Sequence, residues 1–309
     1  MTNKQTVEKQ SSSLDSSSNS TREEQETNKQ FTGNLSITAL YTSAVWHWAQ
    51  FSGAHFFNSE DARRVFSVTN LALAVMRVFR WSLPHLPEGL AQRHTLIEQL
   101  ASENDTELMI EFASGLSMRG WRTLTMSQVN RRLKRYIEID LPHVLEHKRQ
   151  ALTQKNELPL GLSFFHKDLK ELGLEELEQL VADTSKPTFI AEGLVMYLSP
   201  EELRVFFGLL AQLLVKQGGR LIFDWVPTIE QPKPGLFGRV LAALMRRFTG
   251  GDSFQRDQRS RDDMKTLLLD LGATSVTLYD CHLYAEERHL PFPAVHTQQL
   301  VFCADFTVL

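Results

Sequence analysis

Cysteine is scarce: the chain of 309 residues has two, Cys281 and Cys303. Two cysteines in this length make neither a disulfide framework nor a four-cysteine metal centre, and they fit a reducing, cytoplasmic setting. Charge of one sign is also lacking, because 33 basic and 37 acidic side chains leave a formal net charge of −4. That balance excludes a strongly basic nucleic-acid binder. Long apolar runs are missing too. The longest are Leu71–Val75 and the Val205–Val215 region, both short of the ~20 residues a membrane span requires. No cluster of His, Cys, Asp or Glu has zinc spacing, so no metal site is expected.

What the chain does contain falls into segments. Residues 1–34 hold two serine runs, several acids, one arginine and almost no apolar side chains. Such a segment has nothing to offset the entropy of ordering and reads as a disordered tail. It has no apolar core of about 7–15 residues for a secretion signal, and it is too acidic for a mitochondrial presequence. Residues 35–309 read as a single folded domain. Its first part, 35–102, has helical periodicity in Ile37, Leu40, Tyr41, Ala44, Val45 and Trp48, then a helix start at Asn58-Ser59, then a helix from about Glu88 to Ser102. This block forms an N-terminal helical extension.

From Glu107 the period changes. Short apolar runs at Leu108–Phe112, Arg135–Ile139, Leu162–His166, Thr188–Ala191 and Arg220–Trp225 read as buried parallel strands. Helical stretches Pro142–Gln154, Leu169–Ala182 and Pro200–Gln217 separate the later ones. Alternating strands and helices give a doubly wound, mostly parallel α/β sheet of Rossmann-like type. After a helix over Asp262–Leu271, Ser275–Tyr279 and Gln298–Phe306 read as strands that pair as an antiparallel C-terminal edge.

In such a sheet ligands bind beyond the carboxyl ends of the strands, where strand order reverses. After the first strand comes Glu111-Phe112-Ala113-Ser114-Gly115-Leu116-Ser117. With one glycine it is not the G-x-G-x-x-G of a nicotinamide loop. It fits E-x-G-x-G-x-G, the S-adenosylmethionine loop, with Ala113 and Ser117 in place of the outer glycines. After the second strand, Glu138 and Asp140 point to one face; Asp140, nearer the strand end, is the preferred acceptor for ribose hydroxyls, and it also suits a helix cap before Pro142. After the third, Asp168 suits either the adenine amine, with Leu169 packing on the ring, or a helix cap. After the fourth, Glu192 closes an apolar strand, a costly place for an unpaired carboxylate, so a cationic partner such as a sulfonium or ammonium is expected. Ser199 and Glu202 form a capping box with a structural role.

These stretches resemble the leucine carboxyl methyltransferase family of class I S-adenosylmethionine-dependent methyltransferases, which includes bacterial O-methyltransferases acting on polyketides. The resemblance rests on Glu111–Arg119, on Tyr136–Pro142 with Lys148-Arg149, on Ala191–Leu198, and on Phe223-Asp224 after Gly218-Gly219. It implies S-adenosyl-L-methionine as cofactor and places Gly115, with Glu111 and Ala113, on the cofactor loop. It also implies Asp140 at the ribose, Asp168 and Leu169 at the adenine, Glu192 near the methionine end and Arg93 on the methionine carboxylate. Tyr197 joins the site as a substrate contact.

Residues 233–263, after the fifth strand, mix an apolar run with clustered arginines and read as a lid, where Arg256 and Arg259 would meet the acceptor. The lone histidines His143, His166 and His282 are candidates for a general base if the acceptor is a hydroxyl. The expected activity is methyl transfer to a carboxylate or hydroxyl of a small molecule, without nucleic acid or membrane as partner. The alternatives are methylation of a protein's terminal carboxylate and a non-catalytic cofactor-binding module.

Overall fold

The computed structural model describes residues 37–78, 85–126, 132–182, 184–227, 259–292 and 299–308. The tail read at 1–34 lies outside them, as does the lid segment apart from residues 259–263. The described residues belong to the compact unit Ile37–Leu309.

Three helices come first: α1 (Ile37–Trp48), α2 (Glu60–Val78) and α3 (Leu86–Ser102). The Ser59 hydroxyl accepts the Ala62 amide at 3.1 Å and so starts α2 where the sequence placed a helix start. Pro87 does not break α3; it sits in the first turn, where no amide donor is needed. Then β1 (Leu108–Phe112), β2 (Arg135–Asp140), β3 (Leu162–His166), β4 (Thr188–Ala191) and β5 (Gly219–Trp225) follow, and the chain ends with β6 (Ser275–Asp280) and β7 (Leu300–Phe306). The strands form one mixed sheet in the order β3-β2-β1-β4-β5-β7-β6. β1 to β5 pair in parallel, and β7 lies antiparallel between β5 and β6. β1 and β4 are buried along their whole length, which explains why they read as unbroken apolar runs.

The other helices are α4 (Arg119–Met126), α5 (Pro142–Gln154), α6 (Leu174–Val181), α7 (Pro200–Gln217) and α8 (Arg261–Asp270). The Leu169–Ala182 stretch is two elements, a 3-10 turn at Leu169–Glu171 and then α6. Gly173 lies in extended backbone between them and interrupts the helical path. Helix α4 buries Arg119, Gly120 and Arg122 rather than an apolar stripe. Its Gly120 is there for close approach: a Cβ at that position would lie 2.7 Å from Glu138 Oε1 and 2.8 Å from Tyr136 Cδ1. The glycine thus lets α4 settle on β2 and brings Arg119 to the sheet.

One apolar core ties the strands that matter together. Phe112 of β1 meets Phe206 of α7 edge-on at 5.2 Å, while Phe223 of β5 stacks on Phe302 of β7, also at 5.2 Å. Phe112 also meets Phe189 of β4 edge-on at 5.7 Å, so the core packs β1 against β4 and α7, and β5 against β7. Among the described residues no helix is long and apolar enough to cross a membrane.

The turn after β1 holds local strain. Ala113 has φ 51°, in the left-handed region that costs a residue with a Cβ about 1–2 kcal/mol. Ala113→Gly relieves this and loses part of the gain to a freer unfolded chain. The net expectation is a rise in stability of up to about 1 kcal/mol, read as an increase in urea midpoint at unchanged slope.

Candidate functional site

Strand order reverses between β1 and β4, and the candidate residues gather at the carboxyl ends of these strands and of β2. Gly115, with φ 52°, would have nothing within 4 Å of an added Cβ, so its backbone faces open space. Its amide donates to Asp140 Oδ2 at 2.7 Å, and the Leu141 amide donates to Oδ1 at 2.7 Å. The loop after β1 and the acid that ends β2 are therefore brought together; the N-cap of α5 is Leu141, so Asp140 does not cap the helix as its sequence position allowed. Burial raises the Asp140 pKa, and the Gly115 amide pulls against that rise. The Lys167 amide donates to the Asp140 carbonyl at 3.0 Å, which ties the segment leading into Asp168 to the end of β2. Asp168 is exposed and caps the 3-10 turn through the Lys170 amide at 3.0 Å; Leu169 is half-buried against the core.

At the end of β4 the structure supplies the cations that Glu192 needs from the chain itself. Arg93 Nε donates to Glu192 Oε1 at 2.9 Å, and His94 Nδ1 lies 2.8 Å from Oε2. Arg119 also donates to Oε2. The need for a cation at Glu192 is thus met by Arg93 of α3 and Arg119 of α4, with His94 as a further hydrogen-bond partner. Arg93 continues to Asp224 of β5 at 2.8 Å, and Asp224 accepts the Gly193 amide at 2.5 Å. Arg119 continues to Glu111 of β1, which also accepts the Tyr136 hydroxyl at 2.7 Å. One buried network therefore joins α3, α4, β1, β2, β4 and β5.

The charges respond to this setting. Burial alone would raise the Glu192 pKa, but His94, Arg119 and Arg93 outweigh it and hold the carboxyl well below its usual range. Burial works to lower the Arg93 pKa, yet Asp224 and Glu192 carry it upward overall. Burial and the neighbouring Arg119 push His94 down to about 4, so its ring is neutral at ordinary pH.

Below the loop lies a second buried pair. Lys148 of α5 donates to Glu138 of β2, and the Ser114 hydroxyl lies 3.3 Å from the same carboxylate. Burial lifts Glu138 to about 7 against the pull of Lys148. A carboxyl raised from 4.5 binds its proton in the folded state where the unfolded chain has released it. Its contribution is therefore complete below about pH 4.5 and is lost as pH rises through about 7. Relative to Glu138→Gln, the wild type should lose melting temperature over that window; parallel curves for the two proteins would refute the shift.

Several sequence candidates stand apart from this cluster. Tyr197 is half-buried on the 3-10 turn Val195–Tyr197 that follows Glu192. Arg259 lies 3.4 Å from the Pro200 carbonyl at the start of α7, and Arg256 is outside the described residues. His143 and His166 are exposed and His282 is half-buried. Ser199 and Glu202 form their capping box, with the Glu202 amide 3.1 Å from the Ser199 hydroxyl. The sequence reading gave no role to His94, nor to Arg119, Lys148 and Asp224, which it quoted only within the stretches that carry the resemblance. Each is an ionisable side chain whose hydrogen-bond partners lie 8 to 131 positions away, which hid its meaning. A cavity of about 360 Å³ lies between α3 and α4, lined by Glu98, Arg119 and Arg122 among others but not by Gly115, Asp140 or Asp168.

Comparison with known proteins follows the same residues. The family model described as leucine carboxyl methyltransferase matches residues 51–211, just over half of the chain. That span runs from the turn before α2 into α7 and includes Arg93, Gly115, Asp140, Asp168 and Glu192. A candidate methyltransferase from Thermobifida fusca is 16% identical with a TM-score of 0.58, over 86% of this chain and 94% of that one. An O-methyltransferase family protein from Burkholderia thailandensis is 14% identical with a TM-score of 0.49, over 88% of this chain and 72% of that one. The first likeness shows the shared fold. No curated protein matches the chain.

Proposed function

From the premise that the chain belongs to the leucine carboxyl methyltransferase family and is an S-adenosylmethionine-dependent methyltransferase, we propose that it methylates an oxygen of a small molecule. The observation that carries the reading is the meeting of two features on one rim. The open Gly115 loop is tied to Asp140, and Arg93 and Arg119 bracket Glu192 next to it.

The residues fit the cofactor. Asp140 has one position on each oxygen taken by an amide, and a carboxylate has about four, so two remain for ribose hydroxyls. Asp168 and Leu169 follow on the next strand end for the adenine. Gly115 and Gly193 present backbone that a side chain would cover, and Arg93 and Glu192 offer opposite charges to the methionine carboxylate and ammonium. S-adenosylmethionine supplies an electrophilic methyl group on a sulfonium. The chain's own part is orientation, which can account for about 7–11 kcal/mol in ideal cases.

Trp46 belongs to the buried core, and Trp48, partly exposed at the end of α1, is the ring that offers a face to a small, partly apolar acceptor. Trp46 stacks on His94 at 4.2 Å, Phe51 lies 5.2 Å from the same ring, and Trp48 stacks on Phe292 at 4.6 Å. The family's description favours a second reading, methylation of a protein's terminal carboxylate. Two free cysteines, both buried, support a cytoplasmic setting for either. The test is turnover with S-adenosylmethionine and two panels, small hydroxyl and carboxyl compounds and peptides with free carboxyl termini. Release of S-adenosylhomocysteine with the first panel is expected; release with peptides alone would transfer the function to the second reading.

A further inference from the structure

His94 has no part in the proposed contacts with cofactor, yet its surroundings are built with unusual care. Adjacent residues of α3 grip both oxygens of one carboxylate: Arg93 takes Glu192 Oε1 at 2.9 Å, and His94 faces Oε2 at 2.8 Å. The far nitrogen of the ring, Nε2, lies 2.7 Å from Arg122 Nη2. Guanidinium donors face both ring nitrogens, but Nδ1 alone has an acceptor within hydrogen-bond reach, Glu192 Oε2, whereas the nearest carboxylate oxygen to Nε2 is Glu98 Oε2 at 4.0 Å. The single proton of the neutral ring therefore sits on Nδ1, and Nε2 accepts from Arg122. Arg119 Nη2 also lies 2.8 Å from Nδ1, and the charge of Oε2 draws both donors to one point. Trp46 stacks on the ring, and Arg122 is itself held by Glu98 at 3.2 Å. The imidazole is wholly buried, with its tautomer and its plane fixed from behind.

We propose that His94 is a positioning residue that locks the plane of the Glu192 carboxylate, with Arg122 choosing the ring tautomer that does so. This rests on the reading that Glu192 faces the methionine end of the cofactor. Arg93 on Oε1 and Arg119 on Oε2 carry the charge of the pair through long side chains, and the short imidazole stacked under Trp46 adds a rigid second donor on Oε2. That donor narrows the motion the two arginines leave, so its loss should appear in cofactor affinity more than in folding.

Two substitutions separate positioning from packing. In His94→Asn the amide nitrogen falls near the place of Nδ1, which keeps the donor to Glu192 and gives up Arg122. In His94→Gln the amide falls near Nε2, which keeps Arg122 and gives up Glu192. Both leave a polar side chain of related size, and both remove the stacked ring. Calorimetry with S-adenosylmethionine should find His94→Gln weakened about tenfold, the scale of a lost hydrogen bond to a charged group, and His94→Asn within about threefold of wild type. Melting temperatures should fall alike in the two. Equal affinities for the two variants, or a weaker His94→Asn, would overturn the inference. Glu192→Gln serves as the control. If it binds cofactor like the wild type, the placement of Glu192 fails; if it weakens binding while the His94 variants do not, only the role of His94 fails.

Discussion

Replacing Arg119 by methionine should cost about 3–5 kcal/mol of folding stability, the scale of a buried ion pair broken from one side. Arg119 is fully buried and bridges Glu111 on β1 to Glu192 on β4. Methionine fills much of the volume but leaves Glu111 with the Tyr136 hydroxyl and Glu192 with Arg93 and His94. Two carboxylates then share too few donors in a place from which water is excluded, and each gains pKa on losing its cation. A carboxyl whose folded pKa has risen stabilises below its unfolded pKa and destabilises as pH climbs through the new value. The deficit of Arg119→Met should therefore be largest at neutral pH and shrink toward pH 4 or so. Urea unfolding at the two pH values measures it. A deficit under about 1 kcal/mol at pH 7 would mean that the bridge is replaceable, as some buried ion pairs are.

The same network shows where sequence reading stops. Strands β1, β3 and β4 were legible to the residue because wholly or largely apolar runs bounded by polar ends have few other uses. The sheet's mostly parallel character followed from the alternation with helices. Helix α4 was not legible, because the face it buries carries Arg119, Gly120 and Arg122, and its glycine serves a contact with β2 that no local pattern records. Arg93 and Glu192 each stood out alone, one as a ligand arginine and one as a carboxylate needing a cation. That they answer each other across 99 positions is a fact of the crossover, not of either neighbourhood. Ala113, read as a stand-in for a glycine, takes a glycine-like φ and so keeps the shape of the loop at the expense of strain. Residues such as Asp140 and Asp168 allowed two roles in the sequence. Asp168 takes its structural role, a turn cap, whereas Asp140 holds the Gly115 amide instead of capping α5, and both keep lone pairs over for a ligand.

Asp140 offers the clearest test of the cofactor's place. Asp140→Ala should weaken S-adenosylmethionine binding by about 1.5–3 kcal/mol, the usual range for hydrogen bonds to a charged group. Part of that loss would be indirect, since the Gly115 amide would be released and the loop after β1 would lose its 2.7 Å anchor. Asp140→Asn separates the two parts. An asparagine keeps one acceptor oxygen, enough for a single amide, and turns a donor toward the other. If only the loop anchor mattered, asparagine oriented with its oxygen on Gly115 would restore most of the affinity. If ribose hydroxyls are the main partners, the neutral amide loses the charge that makes those bonds strong, and both variants should bind weakly. Calorimetry with S-adenosylmethionine and S-adenosylhomocysteine should show equal losses for the two ligands, because they share the ribose and differ only at sulfur. Unchanged affinity in a folded Asp140→Ala protein would remove the ribose from this strand end.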